Sequence, residues 1–251
     1  ADLQPGDNVI VIGATGGVVN QVTVGPPKED GLSGRVLVQA STDAQAHGDG
    51  LGWKTAGLGA WRSGAFDATL GLAYEARGAF YDGHGARIGV DNTQGEIQDS
   101  TSTSIFGRFG WQIDDSLRLD LIANRFELKG DGDYVIVAGD RTKNRPASSM
   151  RGSPEGRTAA NRVETVSLAL TDDDLWGGDL NAQLFYNRSR DTFGGDLSAT
   201  FQDVRLAPLG TLFDQSSNES EKLGARASYE RAAPFVPGLT GQLGPDTLRD
   251  D

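Results

Sequence analysis

The stretch AFDATLGLAYEARGAF, residues 65–80, decides the fold because its apolar and polar side chains alternate along its whole length. The mainly apolar phase consists of Phe66, Ala68, Leu70, Leu72, Tyr74, Ala76, Gly78 and Phe80. The mainly polar phase includes Asp67, Thr69, Gly71, Glu75 and Arg77. A period of two indicates a β-strand, and this one is far longer than the usual strand of about five or six residues. A tilted strand that crosses a bilayer needs about 9 to 11 residues with one apolar face, so the stretch predicts a transmembrane strand.

The same alternation recurs along the chain. It is found in residues 35–40, 165–170, 179–187 and 222–230. In residues 117–129 the apolar phase changes, because the leucines at its start lie on one phase and Phe126 and Leu128 lie on the other. This change predicts either a β-bulge or the point at which the strand leaves the bilayer.

The connections between the predicted strands alternate in length. Long connections are expected at residues 41–52, 81–99, 130–161 and 191–218, and short ones at residues 62–65, 114–116, 171–178 and 232–238. Such alternation places every long loop at one end of an antiparallel meander, as in outer-membrane barrels. A soluble β-sandwich or lipocalin-like barrel also has alternating strands, but its loops have no reason to sort by length. We therefore predict an all-β, antiparallel up-and-down transmembrane β-barrel.

Several aromatic side chains lie near the ends of the predicted strands. They are Phe80, Tyr81, Trp111, Tyr186 and Tyr229. These positions suit the interfacial girdles of a membrane barrel, although each residue in isolation is also compatible with ordinary packing.

Composition and charge exclude several classes of function. The formal net charge of -12 opposes nucleic-acid binding, and the absence of cysteine excludes disulfides and thiolate metal sites. The cluster Asp131, Asp133 and Asp140 does not have the spacing of an EF-hand loop, so a solvated turn is expected rather than a calcium site. His47 and His84 are expected to be exposed in outer loops. No arrangement of residues positions a catalytic group, so the chain is not expected to be an enzyme.

The opening stretch NVIVIGATGGVVN, residues 8–20, has the glycines of a dinucleotide-binding turn. A phosphate loop must be followed by a helix, whose N-terminus holds the anion. Here a β-branched run follows, and Gly25, Pro26 and Pro27 would end a helix within about two turns. Two short strands joined by a glycine turn are therefore expected.

Placed before a series of bilayer-length strands, GATGGVVNQVT, residues 13–23, resembles the end of the plug domain of TonB-dependent outer-membrane receptors. FYDGHGARIGVDNTQGEIQDS (80–100) and ELKGDGDYVI (127–136) are similar to loop and strand sequences of ferric siderophore receptors, most closely the ferric aerobactin receptor group. The resemblance implies that Gly13, Gly16, Gly17 and Asn20 form the plug motif. It also implies that residues 1–27 end the plug and that residues 28–251 form the N-terminal portion of the barrel. About nine strands can be read from the sequence, whereas plugged transporters have roughly 22, so the chain is expected to be a fragment.

The same resemblance implies a function for the complete protein. It would import a ferric siderophore, of the hydroxamate and citrate type, across the outer membrane of a Gram-negative cell. The TonB–ExbB–ExbD complex would supply the energy through a region upstream of the chain. Iron would enter only as part of the siderophore, with no other cofactor, and outer-membrane lipid and lipopolysaccharide would surround the barrel. A passive porin or adhesin barrel without a plug is the alternative.

The basic loop, residues 140–162, is the candidate ligand-binding segment. It contains Arg141, Lys143, Arg145, Arg151, Arg157 and Arg162, and six positive charges against Asp140 and Glu155 give a net charge of +4. Guanidinium groups bind carboxylates in bidentate fashion, so the loop is expected to attract an anionic, carboxylate-bearing siderophore. The alternative is that these residues neutralise lipopolysaccharide phosphates or are simply solvated.

Overall fold

The computed structural model describes residues 27–90, 98–197, 203–232, 240–243 and 246–250. The plug motif of Gly13, Gly16, Gly17 and Asn20 lies outside the described residues, as does the glycine turn expected near it. None of the helices in the described part is long and apolar enough to cross a membrane.

The described chain is built almost entirely from strands. The strands are β1 (Gly31–Ser41), β2 (Gly52–Ser63), β3 (Phe66–Arg77), β4 (Ser100–Gln112), β5 (Leu117–Gly130), β6 (Tyr134–Val137), β7 (Ser148–Arg151), β8 (Ala160–Leu175), β9 (Gly178–Thr192), β10 (Asp196–Leu197), β11 (Phe213–Asp214), β12 (Ser217–Ala232), β13 (Thr240–Leu243) and β14 (Asp246–Asp250). Two 3-10 turns occupy Gly48–Gly50 and Arg141–Lys143.

A single large sheet dominates the fold. It has ten strands in the order β1-β2-β3-β4-β5-β8-β9-β12-β13, with β14 also paired to β12. Every pairing is antiparallel, and β6–β7 and β10–β11 form two small separate hairpin sheets. The predicted all-β, antiparallel up-and-down fold is therefore confirmed.

The described connections alternate between turns and long loops, as predicted. A glycine with a φ of 54°, Gly64, allows β2 to turn directly into β3. Between β4 and β5, Asp114 accepts the backbone N–H groups of Ser116 and Leu117 at 2.9 and 2.8 Å. Strand β8 continues to Leu175, so Trp176 and Gly177, with φ values of 56° and 76°, alone form the next turn. The last predicted short connection falls mostly outside the described residues.

The two faces of the sheet are the reverse of those in a soluble barrel. On the apolar face of β3, Phe66, Leu70 and Leu72 are 41%, 54% and 51% exposed. On its polar face Asp67 and Thr69 are 2% and 3% exposed. We call the exposed apolar side the outward face and the covered polar side the inward face. The soluble-barrel alternative required these apolar side chains to be sealed in a core, and the structure contradicts it.

The register explains the change of phase in β5. One line of paired outward residues runs through Val36, Gly57, Leu72, Ile105, Arg125, Glu164, Arg188 and Glu221. Barrel strands are tilted, so a line perpendicular to them climbs relative to the membrane. This line leaves the apolar band between Ile105 of β4 and Arg125 of β5. Because β5 pairs without interruption on both sides, the bulge interpretation is wrong and the interpretation that the strand leaves the bilayer fits.

The aromatic residues only partly form the predicted girdle. On the outward face at the turn end, Trp111 stacks on Phe66 with ring centroids 5.9 Å apart. Tyr186 and Tyr229 also lie on outward positions, opposite Leu223 and Leu180. Phe80 and Tyr81 lie beyond the end of β3 in a loop, so the girdle prediction is wrong for these two.

An ion-pair network covers the inward face of β3, β4 and β5. Arg118 donates to Asp67 at 2.6 Å and to Asp120 at 2.9 Å, and Arg108 donates to Asp120 at 2.7 Å. The Asp67–Arg118 pair passes over Gly110 of β4, which separates β3 from β5. A Cβ at this position would collide with Arg118 Nη2 and lie 2.7 Å from Asp67 Oδ1. Glycine at 110 is therefore a requirement of the network.

We expect Gly110→Ala to destabilise the protein by about 1 to 3 kcal/mol, the usual cost of forcing a methyl group into a filled space. Gly107→Ala on the same strand is the matched control, because nothing lies within 4 Å of its added Cβ. Urea unfolding of both variants of the complete protein in detergent micelles measures the difference. Equal midpoints for the two variants would contradict the requirement.

Because the two faces differ, the same new charge should destabilise the protein much more on the outward face than on the inward face. Leu168 lies on the outward face between Leu121 and Leu184, so Leu168→Arg should cost about 2 to 4 kcal/mol in a bilayer. Asn181, on the inward face opposite Thr171 and Ser228, is the control, and Asn181→Arg should cost less than about 1 kcal/mol. Folding into lipid vesicles at increasing denaturant gives both values. A larger loss for Asn181→Arg would reverse the assignment of the faces.

Candidate ligand-binding site in the outer loops

Three long loops at one end of the sheet pack together, and we call residues 42–51, 78–90 and 131–151 the loop layer. A small buried core of Ala79, Val90 and Tyr134 joins the second and third of these loops. The β6–β7 hairpin is attached to the second loop, because the hydroxyls of Ser148 and Ser149 donate to the carbonyls of Arg87 and Ile88 at 3.0 Å each. The loops therefore form a connected surface.

The carboxylate of Asp49 is the centre of the loop layer. It accepts hydrogen bonds from the Tyr81 hydroxyl and from Arg87 Nη2, and from the Tyr134 hydroxyl at 3.2 Å. We call these four residues the Asp49 cluster. Arg87 also lies over the Tyr134 ring, 4.4 Å from its centroid. Each of the three loops contributes at least one member, so the cluster fixes their relative positions.

His47 extends the Asp49 cluster on the side of the first loop. Its ring stacks on Tyr81 at a centroid distance of 4.0 Å, and its Nδ1 lies 2.9 Å from Asp43 Oδ2. Burial raises the pKa of Tyr81, with the nearby Tyr134 and Asp43 adding to the effect, so its hydroxyl keeps the proton that it donates to Asp49. The prediction that His47 is simply solvent-exposed is wrong, whereas His84 is exposed as expected.

The tip of the basic loop is an ordered turn. The carboxylate of Asp140 accepts the backbone N–H groups of Thr142 and Lys143 at 3.0 and 3.3 Å, which begins the turn Arg141–Lys143. Its pKa is lowered, chiefly by the hydrogen bond from the Thr142 hydroxyl and then by Lys143. Lys143 Nζ is 3.3 Å from Asp140 Oδ2, so this candidate charge already has a partner. Arg141 is the first residue of the turn, and Arg145 follows it after Asn144.

Two further candidates lie closer to the sheet. Arg151, at the end of β7, has its guanidinium 5.7 Å from the centroid of the Tyr134 ring, on the margin of the Asp49 cluster. The backbone of Arg157 is bound by Gln215, whose side chain accepts its N–H at 3.1 Å and donates to its carbonyl at 2.7 Å. Gln215 belongs to the loop between β9 and β12, so the third and fourth long loops are also joined.

Arg162 does not belong to the basic loop. It lies within β8, on the outward face, and its Nη2 is 2.8 Å from Glu127 of β5. Its inclusion in the loop charge was wrong, and five basic residues against Asp140 and Glu155 leave a net charge of +3.

Four of the five candidate residues keep most of their donors available, although Arg145 Nη2 donates to the carbonyl of Ala138 at 3.4 Å. In the part of the chain that the structure describes, no carboxylate pairs with Arg141, Arg145, Arg151 or Arg157. A guanidinium carries five N–H donors in a fork that matches a carboxylate. The structure spreads these arginines around the loop layer and does not gather them into one pocket.

Sequence reasoning missed the Asp49 cluster. Its members come from three separate loops, and no spacing relates Asp49 to Tyr134. One signal that could have found them is the resemblance to siderophore receptors. Of its two similar segments, residues 80–100 contain Tyr81 and Arg87, and residues 127–136 contain Tyr134.

The acidic residues form a different arrangement from the one in the sequence. Asp140 caps its own turn, whereas Asp133 donates its backbone N–H to Asp99 Oδ2 at 2.9 Å. Asp131 donates its backbone N–H to the carbonyl of Asp99 at 2.8 Å. Burial raises the pKa of Asp99, and the neighbouring carboxylates of Asp133 and Asp131 raise it further. Among the described residues, no group of three or more acidic, histidine or cysteine side chains has the geometry of a metal site.

An antiparallel up-and-down sheet with an exposed apolar face, turns at one end and packed loops at the other, is the arrangement of part of a transmembrane β-barrel. Over 220 residues the chain is 28% identical to the rhizobactin receptor of Rhizobium meliloti (strain 1021). The matched stretch covers 86% of this chain and 29% of that receptor. It is 26% identical to the ferric aerobactin receptors of Klebsiella pneumoniae and Escherichia coli, over 85% of this chain and 29% of each receptor. The resemblance to siderophore receptors is therefore confirmed.

The chain spans less than a third of the length of these relatives. No protein-family model matches the chain, and no solved structure matches it significantly.

The raised pKa of Asp99 predicts a pH-dependent loop. A carboxyl whose pKa is raised by folding stabilises the fold while it is protonated, and this stabilisation is lost as the pH rises through the folded pKa. Residues 131–133 should therefore be better protected from amide hydrogen exchange near pH 4 than near pH 7.5, after correction for the intrinsic rate.

Asp99→Asn is the matched variant for this measurement. Asn keeps the oxygen that accepts from Asp133 and tolerates the backbone φ of 48° at this position. The variant should protect residues 131–133 at pH 7.5 better than the wild type and lose most of the pH dependence. Identical pH profiles for the two proteins would contradict the role of Asp99.

Proposed function

We propose that this chain is part of a TonB-dependent outer-membrane receptor that imports a ferric siderophore. The observation that carries the proposal is the similarity to named siderophore receptors over about 85% of the chain, along a sheet whose apolar face is exposed. The relatives are receptors by name and not enzymes. In this proposal the turns face the periplasm and the loop layer faces the outside of a Gram-negative cell.

Residues 1–27 are proposed to end a plug domain and residues 28–251 to begin the barrel. Arg62, on the inward face of β2, donates to the carbonyl of Pro27 at 2.9 Å, so the chain reaches β1 from the inward side of the turn end. The inward face nearby is polar and contains buried atoms without a partner among the described residues. They are Asp67 Oδ1, Thr69 Oγ1 and Arg108 Nη1. Such a face suits contact with further polypeptide better than contact with lipid.

The proposed ligand is an anionic ferric siderophore of the hydroxamate and citrate type. The four arginines without carboxylate partners surround the loop layer and offer bidentate donors to carboxylates. Arg151 combines such a donor with the aromatic ring of Tyr134 beside it. Ferric iron is part of the ligand in this proposal, and the protein carries no cofactor of its own.

The Asp49 cluster is proposed to act as a support for this site. It fixes the loops, and its Asp49 carboxylate and Tyr81 and Tyr134 hydroxyls are already paired within the cluster, so we propose that it positions the loops and does not bind the ligand directly. In the complete receptor, the TonB–ExbB–ExbD complex is proposed to supply energy through a region upstream of this chain.

Replacing Arg141, Arg145 and Arg151 together with Gln tests the binding role. Each exposed charge contact contributes up to about 1 kcal/mol, so we expect the affinity for a ferric citrate–hydroxamate siderophore to fall about ten-fold at low salt. The salt dependence of binding should flatten at the same time, because three charges are removed. Equilibrium binding to the complete receptor at two salt concentrations gives both quantities.

Arg205→Gln is the matched control for this experiment. Arg205 is an exposed loop arginine that is already paired, with Nη2 2.5 Å from Asp203 Oδ2. Its loss should leave affinity within about two-fold of the wild type, since a satisfied surface pair contributes little. Unchanged affinity in the triple variant would refute the binding role of the basic loop.

A further inference from the structure

One glutamine side chain joins the third and fourth long loops at Arg157. The Oε1 of Gln215 accepts the backbone N–H of Arg157 at 3.1 Å, and its Nε2 donates to the Arg157 carbonyl at 2.7 Å. The same Nε2 donates at 3.0 Å to the carbonyl of Phe193, at the start of the fourth loop. A glutamine amide has two N–H donors and an acceptor oxygen. Gln215 therefore uses both donors and its oxygen on backbone groups of the two loops.

The segment that contains Arg157 has little other support. Residues 152–159 connect β7 to β8 without a strand or a helix. In the described part of the chain, Gly152 and Ala159 make backbone hydrogen bonds at the two ends of this segment. Between them, the backbone hydrogen bonds that the structure describes are those of Arg157 to Gln215. The glutamine thus fixes the backbone of an otherwise irregular connection at one residue.

Gln215 itself lies on a fixed part of the fourth loop. It directly follows β11, in which Phe213 pairs with Leu197 of β10. The backbone N–H of Phe193 donates to the carbonyl of Ser216 at 3.0 Å, which closes the base of the loop. The amide is therefore held in place by regular pairing on one side and by the start of β12 on the other.

The ring of Phe213 packs against the residue that precedes Arg157. A Cβ added at Gly156 would collide with this ring, and so would a Cβ added at Gly195. Gly156 also has a φ of 75°, which favours glycine. We call Gln215 and Phe213 together the fourth-loop anchor. It holds the chain at residues 156 and 157 through both packing and hydrogen bonds.

The side chain of Arg157 differs from its backbone, because it is left available. The residue is exposed, and its guanidinium has no carboxylate partner in the part of the chain that the structure describes. A ligand that binds an arginine on an unsupported loop must also order that loop, and this ordering lowers the affinity. At Arg157 the backbone is ordered before a ligand arrives, while the donors that match a carboxylate remain free.

We propose that Gln215 is a positioning residue for anion recognition, which holds the backbone of Arg157 so that its free guanidinium binds a carboxylate of the ligand. The inference rests on the proposed function, because the ligand is the anionic ferric siderophore proposed there. Gln215 acts through Arg157 and does not contact the ligand. The fourth long loop, which contains none of the candidate binding residues, thereby becomes part of the ligand site.

A double-mutant cycle in the complete receptor tests this role. The single variants are Gln215→Met, which removes the amide from a side chain of similar length, and Arg157→Gln, which removes the guanidinium. The affinity for a ferric citrate–hydroxamate siderophore is measured at low salt for the wild type, both single variants and the double variant. We expect Arg157→Gln to lower the affinity about five-fold and Gln215→Met about three-fold. In the Arg157→Gln background, Gln215→Met should change the affinity by less than about 1.5-fold, because the residue through which it acts is gone.

Gln112→Met is the matched control variant. Gln112 Nε2 donates to the carbonyl of Asp114 at 2.9 Å, in the turn between β4 and β5 at the opposite end of the sheet. This variant loses the same kind of amide contact to backbone, and its affinity should equal that of the wild type. Amide hydrogen exchange at Arg157 should become at least about ten-fold faster in Gln215→Met and stay unchanged in Gln112→Met.

The outcomes separate a positioning role from a general support of the loops. An equal loss of affinity on Gln215→Met with and without Arg157 would mean general support and would overturn the inference. So would an unchanged affinity in Gln215→Met or in Arg157→Gln, provided that the wild type binds the siderophore. A wild type that binds no ferric siderophore would instead refute the proposed function, and the inference with it.

Discussion

Hydrocarbon offers no hydrogen bonds, and this constraint determines the placement of nearly every side chain in the sheet. Within the apolar band, alternate residues on the outward face must be apolar, so the polar residues that lie between them are directed inward. There they must satisfy one another. The network of Asp67, Arg118, Asp120 and Arg108 meets most of this need across three strands, with distances of 2.6 to 2.9 Å. It does so only because β4 has a glycine at 110, which leaves room for the ion pair to cross.

Because the strands are tilted, the same constraint also produces a change from apolar to charged outward residues that is visible only when several strands are compared. Along one line of paired residues, the outward side chains are aliphatic or glycine up to Ile105 and charged from Arg125 onward. A flat sheet with untilted strands would put both at one depth and leave Arg125 in hydrocarbon. In a tilted sheet the line rises out of the apolar band as it crosses the strands. The charged outward residues from Arg125 onward, the change of phase in β5 and the length of β8 and β12 therefore have one geometric cause.

The sequence predicts the strands well where the outward face is apolar, as in β3, because a period of two can be read without knowing the neighbours. It predicts strand ends poorly where the outward residues become charged. The sequence places residues 160–162 in the basic loop, whereas β8 begins at Ala160, because Arg162 does not look like a membrane-facing residue. The choice between a bulge and an exit from the bilayer in β5 also needed the pairing of both neighbouring strands. The basic character of the third loop was predictable from composition, whereas the Asp49 cluster depends on contacts between loops that are far apart in the chain.

A binding surface must be rigid and must also offer charged groups to its ligand. Here the loop layer supplies the rigidity, and the basic residues supply the charge. A long loop with free arginines would lose much of its binding free energy to ordering if nothing held it. Here Asp49, Arg87 and Tyr134 join the loops through hydrogen bonds to one another, and Ser148 and Ser149 attach the hairpin to the second loop. The arginines at the margin carry no structural ion pair and keep their donors. A surface organised in this way separates rigidity from charge, so the charges can be altered without loss of the loop fold, and this separation makes the triple variant of Arg141, Arg145 and Arg151 interpretable.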